Sequence, residues 1–139
     1  MWKSLVLALL LAGCALEPVS DEDVQAQRFE PVPDKAVIYI VRDHVGADVE
    51  HTLRLDDSQW ITTYTGRYYR WEVAPGTHRI AGAMESTASL ALAVEAGKIY
   101  FVRHVVVGSE SSDGALSTHL HRVDERIGRA TVARGRLLL

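Results

Sequence analysis

The sequence is poor in cysteine, with Cys14 as the only one among its 139 residues. One cysteine cannot form a disulfide within the chain, so a folded domain would depend on apolar burial and backbone hydrogen bonds. Hydrophobic residues make up 47% of the sequence, which is enough for one well-filled core. The length is that of one ordinary domain and is too short for two.

Long apolar runs and basic blocks are also missing. The longest apolar stretch, residues 5–16, falls well short of the roughly 20 residues that a membrane-spanning helix needs. The formal net charge is −3, and the lysines and arginines form no block. Nucleic-acid binders usually carry a basic patch, so we expect no nucleic acid as a partner.

The motifs of common enzymes are absent from the sequence. There is no Gly-x-Ser-x-Gly nucleophile elbow, and residues 108–114 are rich in glycine and serine but contain no lysine for a phosphate loop. We therefore expect no catalytic residue, no cofactor and no enzymatic activity.

Six histidines leave one alternative open. His119 and His121 would lie on the same side of a strand, and His104 could approach them from another strand, with Asp124 as an oxygen ligand. Catalytic and structural zinc sites use three or four such ligands. The alternative function is therefore a metal-dependent hydrolase. A solvated strand face that carries these histidines explains the pattern more simply.

The first residues have the order of an export signal. Lys3 precedes the apolar stretch, which contains Leu-Ala-Gly-Cys at positions 11–14. This sequence resembles the lipobox of bacterial lipoproteins. The resemblance implies cleavage between Gly13 and Cys14, a diacylglyceryl group on the Cys14 thiol and acylation of the new amino terminus. Because Ala15 stands where an aspartate would resemble an inner-membrane retention signal, it also implies the outer membrane. The alternative is an ordinary secretory signal that contains a cysteine.

Residues 14–34 are predicted to be an acylated cysteine followed by a flexible tether. They hold three of the four prolines, a cluster of acidic residues and no sustained periodicity. A short helical turn over residues 20–27, capped by Ser20, is the alternative. The folded domain is then expected over residues 35–139.

From residue 36 the sequence turns to β-forming residues with a period of two. Residues 36–42 are apolar on both faces, which predicts a strand covered on both sides. Further strands are predicted at residues 50–56, 60–65, 67–73, 77–84, 88–95, 99–107 and 115–123. Together they predict a mainly β fold of seven to eight strands, either an antiparallel β-sandwich of transthyretin-like type or a flattened barrel.

Two local features add to this prediction. Proline and glycine at positions 75–76 suit the centre of a type II turn, which predicts a hairpin between the strands on either side. After the last strand, Asp124 can cap a short C-terminal helix that packs on a sheet. Ile127, Ala130 and Leu137 would fall on one face of this helix.

Several turns and strand starts resemble those of one family. They are Val-Ile-Tyr-Ile-Val-Arg (37–42), Gly-Arg-Tyr (66–68), Ala-Pro-Gly-Thr-His (74–78) and Glu-Ala-Gly-Lys-Ile-Tyr-Phe-Val (95–102). In this succession the sequence resembles a family of small bacterial lipoproteins with an uncharacterised DUF-type domain. The resemblance covers about residues 35–123 and implies a sandwich-like fold and no catalytic residue. The same turn and strand start also occur in transthyretin-like and carboxypeptidase-regulatory-like sandwiches.

Aromatic residues and arginines crowd into residues 60–71, a composition typical of binding surfaces. If Tyr69 and Trp71 face the core, Tyr68 and Arg70 point the other way. The candidate partner surface consists of Trp60, Arg67, Tyr68 and Arg70. It could receive an envelope protein, a glycan or a peptidoglycan strand, and a packed second layer is the alternative.

These features together predict a membrane-anchored envelope lipoprotein. It is expected to act as a non-enzymatic interaction or scaffolding module on the periplasmic side of the outer membrane. Two alternatives stay open. One is a metal-dependent hydrolase of the envelope that uses the histidines, and the other is an accessory subunit of an envelope export machine.

Overall fold

The computed structural model of the protein describes residues 18–83, 88–108 and 116–139. The helices of this part of the chain are α1 (Asp21–Ala26) and α2 (Glu125–Arg134). Its strands are β1 (Ala36–Arg42), β2 (His51–Leu55), β3 (Gln59–Thr63), β4 (Arg67–Val73), β5 (Gly76–Gly82), β6 (Ser89–Val94), β7 (Ile99–Val107), β8 (Ser117–Val123) and β9 (Arg136–Leu137). The predicted mainly β fold with a short C-terminal helix is confirmed.

The strands form two stacked sheets. The five-stranded sheet has the order β8-β7-β1-β4-β9, and the four-stranded sheet has the order β3-β2-β5-β6. Most neighbouring strands are antiparallel as predicted, but the pairs β1–β7 and β4–β9 are parallel. A parallel pair needs a long crossover connection. The chain between β1 and β7 supplies one, because it builds the whole four-stranded sheet on the way.

β1 lies at the centre of the five-stranded sheet, and all of its residues are buried. Ile38 and Ile40 belong to the core between the two sheets. Val37, Tyr39 and Val41 belong to a second core, beneath the helices. The strand is therefore covered on both faces, as its unbroken apolar sequence predicted.

The hairpin predicted at residues 75–76 is wrong. β4 lies in the five-stranded sheet and β5 in the four-stranded sheet, so this turn carries the chain from one sheet to the other. Gly76 has a φ of 137°, far from the value of about +80° that a type II turn requires there. The side chain of His78 stabilises this turn: its Nε2 lies 2.7 Å from Ala74 O and its Nδ1 lies 2.5 Å from Asp56 Oδ2. Proline and glycine favour a turn, but they do not choose the partner of the next strand.

The C-terminal helix begins as predicted but packs through another face. Asp124 caps α2 by accepting a hydrogen bond from Ile127 N at 2.9 Å. Ile127 and Ala130 are exposed, and Leu137 lies beyond the helix in β9, so the predicted packing face is wrong. The buried residues of α2 are Gly128, Thr131 and Val132.

Gly128 decides which face of α2 meets the sheet. A Cβ atom built at this position would lie 2.1 Å from Phe101 Cγ in β7. The missing side chain lets the helix approach the ring more closely than any other residue would allow.

The described part of residues 14–34 is not a flexible tether. It contains α1, with Ser20 as the N-cap. A helix this short is not stable by itself in water. Two tyrosines hold it on the five-stranded sheet: the Tyr39 hydroxyl donates to the last carbonyl of α1 at 2.6 Å, and the Tyr68 hydroxyl donates to the carboxylate of Asp23. The alternative of a helical turn is therefore confirmed.

Candidate functional site

The residues predicted as a partner surface do not form one surface. Trp60 lies in β3 of the four-stranded sheet, whereas Arg67, Tyr68 and Arg70 lie in β4 of the five-stranded sheet. Arg67 and Arg70 are only partly exposed, and Arg70 Nη1 lies 2.6 Å from Glu72 Oε1. Trp60 is the exposed member of the set, with a relative exposure of 57%.

Tyr68 contradicts the prediction most clearly, because its side chain is fully buried. Alternation along β4 does turn it away from the core between the sheets. On that side, however, α1 covers it, and its hydroxyl donates to Asp23. Burial and this hydrogen bond raise the pKa of Tyr68, so the hydroxyl keeps its proton. A packed second layer, the alternative reading of this face, accounts for Tyr68.

Trp60 has a defined set of charged neighbours. Arg54 lies directly opposite it on β2, with its Cζ atom 5.8 Å from the centre of the indole ring. Asp57 Oδ1 lies 3.0 Å from Arg54 Nε and 3.4 Å from Arg79 Nη1. We call the residues Trp60, Arg54, Asp57 and Arg79 the Trp60 face.

The β2–β3 hairpin places this set. Asp56 and Asp57 have φ values of 49° and 57°, the left-handed conformation that type I′ turns need and aspartate tolerates. Leu53 and Leu55 of β2 are fully buried. Arg54 lies between them and must therefore point outward, towards the indole on the next strand.

The Trp60 face lies on the outer side of the four-stranded sheet, which neither α1 nor α2 covers. α1 and α2 both contribute to the core on the far side of the five-stranded sheet. On the same outer side of the four-stranded sheet, Thr62 is exposed two residues after Trp60 on β3, and Ala91 and Ala93 are exposed on β6 at the opposite edge. An indole can stack on a flat partner surface, and the adjacent guanidinium and carboxylate groups can donate and accept hydrogen bonds at its rim. This chemistry suits docking.

A family model matches residues 33–115, which is more than half of the chain. Its description is "Protein of unknown function (DUF2846)". The chain belongs to the DUF2846 family. The matched region runs from just before β1 to beyond β7, so it includes the whole four-stranded sheet and the Trp60 face. No curated protein and no solved structure matches the chain.

The DUF2846 region also encloses a polar cluster that our sequence analysis missed. Arg42 is 2% exposed and donates from Nη1 to Thr63 O at 3.0 Å and from Nη2 to Ala47 O at 2.7 Å. The rings of His51 and His104 lie with their centres 5.4 Å apart. Thr63 Oγ1 donates to His51 O at 2.9 Å, so His104 Nδ1, 3.1 Å away, must be the donor to Thr63.

Both histidines of this cluster are neutral at physiological pH. Burial, with His51 and Arg42 nearby, lowers the pKa of His104 to about 3. Burial and Arg42 also lower the pKa of His51. The guanidinium of Arg42 would repel a metal ion as it repels a proton. We therefore interpret the cluster as structural.

The three histidines of the metal alternative do not converge. His104 is buried, whereas His119 and His121 in β8 are exposed. The register explains this. His104 pairs with Leu120, so their side chains lie on the same face of the sheet. His119 and His121 flank Leu120 and therefore point to the other face. In the described ranges no group of three His, Cys, Asp or Glu residues could hold a metal ion. The alternative prediction of a metal site built from these three histidines is therefore wrong.

Gly13 and Cys14, the predicted cleavage and lipid-attachment residues, lie outside the described residues. Within the part of the DUF2846 chain that the structure covers, no helix has the length and apolar character to cross a bilayer. The lipid anchor stays a prediction from the sequence.

Proposed function

We propose that this DUF2846 protein is a lipoprotein of the bacterial envelope, held to the outer membrane through acylated Cys14 and facing the periplasm. We propose further that it is a non-enzymatic interaction module whose partner, an envelope protein or a cell-wall glycan, binds at the Trp60 face. The Leu-Ala-Gly-Cys sequence at 11–14 supports the anchor. The exposed indole supports the interaction.

The exposure of Trp60 is the observation on which the interaction role rests. An indole buries a large apolar area when it is packed, yet Trp60 leaves more than half of its surface in water. The core beneath it is filled by Ile61 and other inward residues instead. Tryptophan and arginine are also the residues that contribute most to binding at protein interfaces. Trp60 opposite Arg54 therefore favours a docking role.

The position of α1 limits how far the domain can lie from the membrane. Ser20 caps α1, and α1 is fixed to the five-stranded sheet through Tyr68. The chain from Cys14 to Ser20 spans at most about 20 Å when fully extended. An acylated Cys14 would thus hold the domain at the bilayer surface, and its partner must be reached there.

Changing Cys14→Ser is expected to move the protein from the membrane to the soluble fraction of the periplasm. Two or more acyl chains attach a protein stably to a membrane. Serine has no thiol to receive the diacylglyceryl group, so the variant would lack this anchor. Fractionation of a bacterial host followed by immunoblotting should show at least about a tenfold increase of soluble protein. Ala15→Ser introduces the same hydroxyl one position later and should leave the protein in the membrane. Retention of the Cys14→Ser variant in washed membranes would contradict the anchor.

Changing Trp60→Ala is expected to weaken partner binding by about 30-fold, as loss of a central interface residue typically does. Cross-linking in cells tests a protein partner, and co-sedimentation with purified peptidoglycan tests a glycan. Tyr64→Ala is the matched control, because Tyr64 is 45% exposed nearby but lies outside the Trp60 face. Thermal unfolding should be unchanged in both variants. Equal capture by wild type and Trp60→Ala, or equal loss in both variants, would refute the assignment of this face.

A further inference from the structure

β4 is only partly covered on the side that faces away from β1. β9 pairs with Arg67 and Tyr68, and Leu138 N makes the last bond of this pairing, to Tyr68 O at 2.8 Å. In the described part of the chain β9 is the only strand on this side. Among the described residues, residues 70–73 therefore have no strand partner on this side and form an open sheet edge. Folded proteins usually cover or shorten such edges, because an unpaired edge is a template for another strand.

The backbone of this edge offers hydrogen-bonding groups at two residues. Val37 N donates to Lys98 O at 3.0 Å, so the polar groups of Val37 point away from β4. Val37 and its partner Glu72 are consequently a non-hydrogen-bonded pair, and Glu72 turns its N–H and C=O to the open side. Arg70 lies two residues earlier, so its N–H and C=O groups also point to the open side. Tyr68 follows the same pattern, and its C=O accepts the hydrogen bond from Leu138 N.

A groove of about 750 Å³ lies beside the open edge. Residues of α1, Leu137 and Leu138 line it together with Arg70 and Glu72. Its carboxylates are those of Asp21, Glu22, Glu30 and Glu72. The one guanidinium in the lining, that of Arg70, is bound to Glu72. The groove is therefore negative overall.

We propose that the open edge of β4 binds an extended, positively charged segment of a partner protein, which joins the five-stranded sheet as an added strand opposite residues 70–73. The main chain of the segment bonds to the outward N–H and C=O groups of Arg70 and Glu72. Side chains of a strand alternate between its faces. Those on the groove side are lysine or arginine, and those on the side of Trp71 are apolar. The proposal depends on neither Cys14 nor the Trp60 face.

The probe is a seven-residue peptide that alternates lysine and valine, added to the full chain in mild detergent. Amide hydrogen exchange by NMR is expected to slow at least about tenfold at Arg70 and Glu72 when the peptide binds. Exchange at Tyr69 and Trp71 should not change, because their N–H groups already face β1. A peptide that alternates glutamate and valine should bind at least about tenfold more weakly, because the groove repels it.

Methylation of alternate peptide nitrogens tests the main-chain contact. Only one set of peptide N–H groups faces β4, so one methylation pattern should weaken binding at least about tenfold and the other by less than about threefold. Glu22→Lys, in the groove, should weaken binding about threefold, whereas the exposed Glu50→Lys should not. The proposal is overturned if the lysine peptide fails to bind at about 1 mM, if the glutamate peptide binds equally well, or if exchange at Arg70 and Glu72 does not slow.

Discussion

Replacing Gly128 by alanine is expected to lower the free energy of unfolding by about 2 kcal/mol, although alanine is the better helix former by about 1 kcal/mol. The added Cβ would lie 2.1 Å from Phe101 Cγ and 2.4 Å from Phe101 Cδ1, well inside van der Waals contact. Phe101 is buried and stacks on Tyr39 with ring centres 5.3 Å apart, so the ring has no free space to enter. Either the ring or the helix must shift, which destabilises a packed core. Urea unfolding followed by tryptophan fluorescence measures the change.

Two matched variants separate packing from helix propensity. Ala133 is exposed in the same helix, so Ala133→Gly should lower the free energy of unfolding by about 1 kcal/mol through propensity alone. In a Phe101→Leu background, Gly128→Ala should cost at least about 1 kcal/mol less than in the wild type, because residues in contact are coupled. A Gly128→Ala variant more stable than the wild type would mean that this glycine does not control the approach of α2.

Three strands could be predicted to the residue, and all three belong to the five-stranded sheet. The predicted ranges 36–42, 67–73 and 99–107 coincide with β1, β4 and β7. Alternation and the enrichment of β-branched and aromatic residues are local properties of the sequence. Sheet membership is not a local property. Proline and glycine at residues 75–76 therefore predicted a change of chain direction but not that the next strand joins the other sheet.

Contacts between distant residues explain the errors at both ends of the fold. α1 depends on the hydroxyls of Tyr39 and Tyr68, which lie 13 and 45 residues from their acceptors in the helix. No pattern within residues 20–27 contains this information. At the other end, a glycine such as Gly128 lowers helix propensity, so by local rules it disfavours a helix. In the structure, the missing side chain of this glycine allows α2 to pack closely against Phe101.

The candidate site was partly readable from the sequence. Trp60 was found through composition, but its pairing with Arg54 depends on the hairpin register. Alternation could have placed His51 inside, since Leu53 shares its side of β2, and it could have placed His104 inside in the same way. What alternation could not show is that these two rings meet across the sandwich beside Arg42. That meeting contributes to the low pKa of His104 and therefore to the loss of stability in acid.

Lowering the pH from 7 to 5 is expected to reduce the free energy of unfolding by about 2 kcal/mol through His104 alone, with a further loss through His51. In the unfolded chain a histidine has a pKa of 6.5, whereas burial beside His51 and Arg42 lowers the pKa of folded His104 to about 3. Below pH 6.5 the unfolded chain takes up a proton that the folded protein does not. Stability is therefore lost as the pH falls from 6.5 towards 3.

This pH range separates the histidines from the carboxylates, which titrate near pH 4 in an unfolded chain. His78 has the opposite effect in the same range. Burial acts to lower the pKa of His78, but its hydrogen bonds to Asp56 and Ala74 outweigh burial and raise it. Protonation of His78 thus favours the folded state as the pH falls. The contribution of His104 must be measured against a variant that leaves His78 in place.

His104→Asn provides that comparison. Asparagine keeps an N–H donor for Thr63 but cannot take up a proton. Whatever stability the variant loses at pH 7, its further loss between pH 7 and pH 5 should be about 2 kcal/mol smaller than that of the wild type. His119→Asn changes an exposed residue of β8 and should leave the wild-type loss unaltered. Urea unfolding at pH 7, 6 and 5 measures all three proteins. An equal loss in the wild type and His104→Asn would mean that folded His104 binds a proton as readily as the unfolded chain does, so that burial beside Arg42 does not keep it neutral.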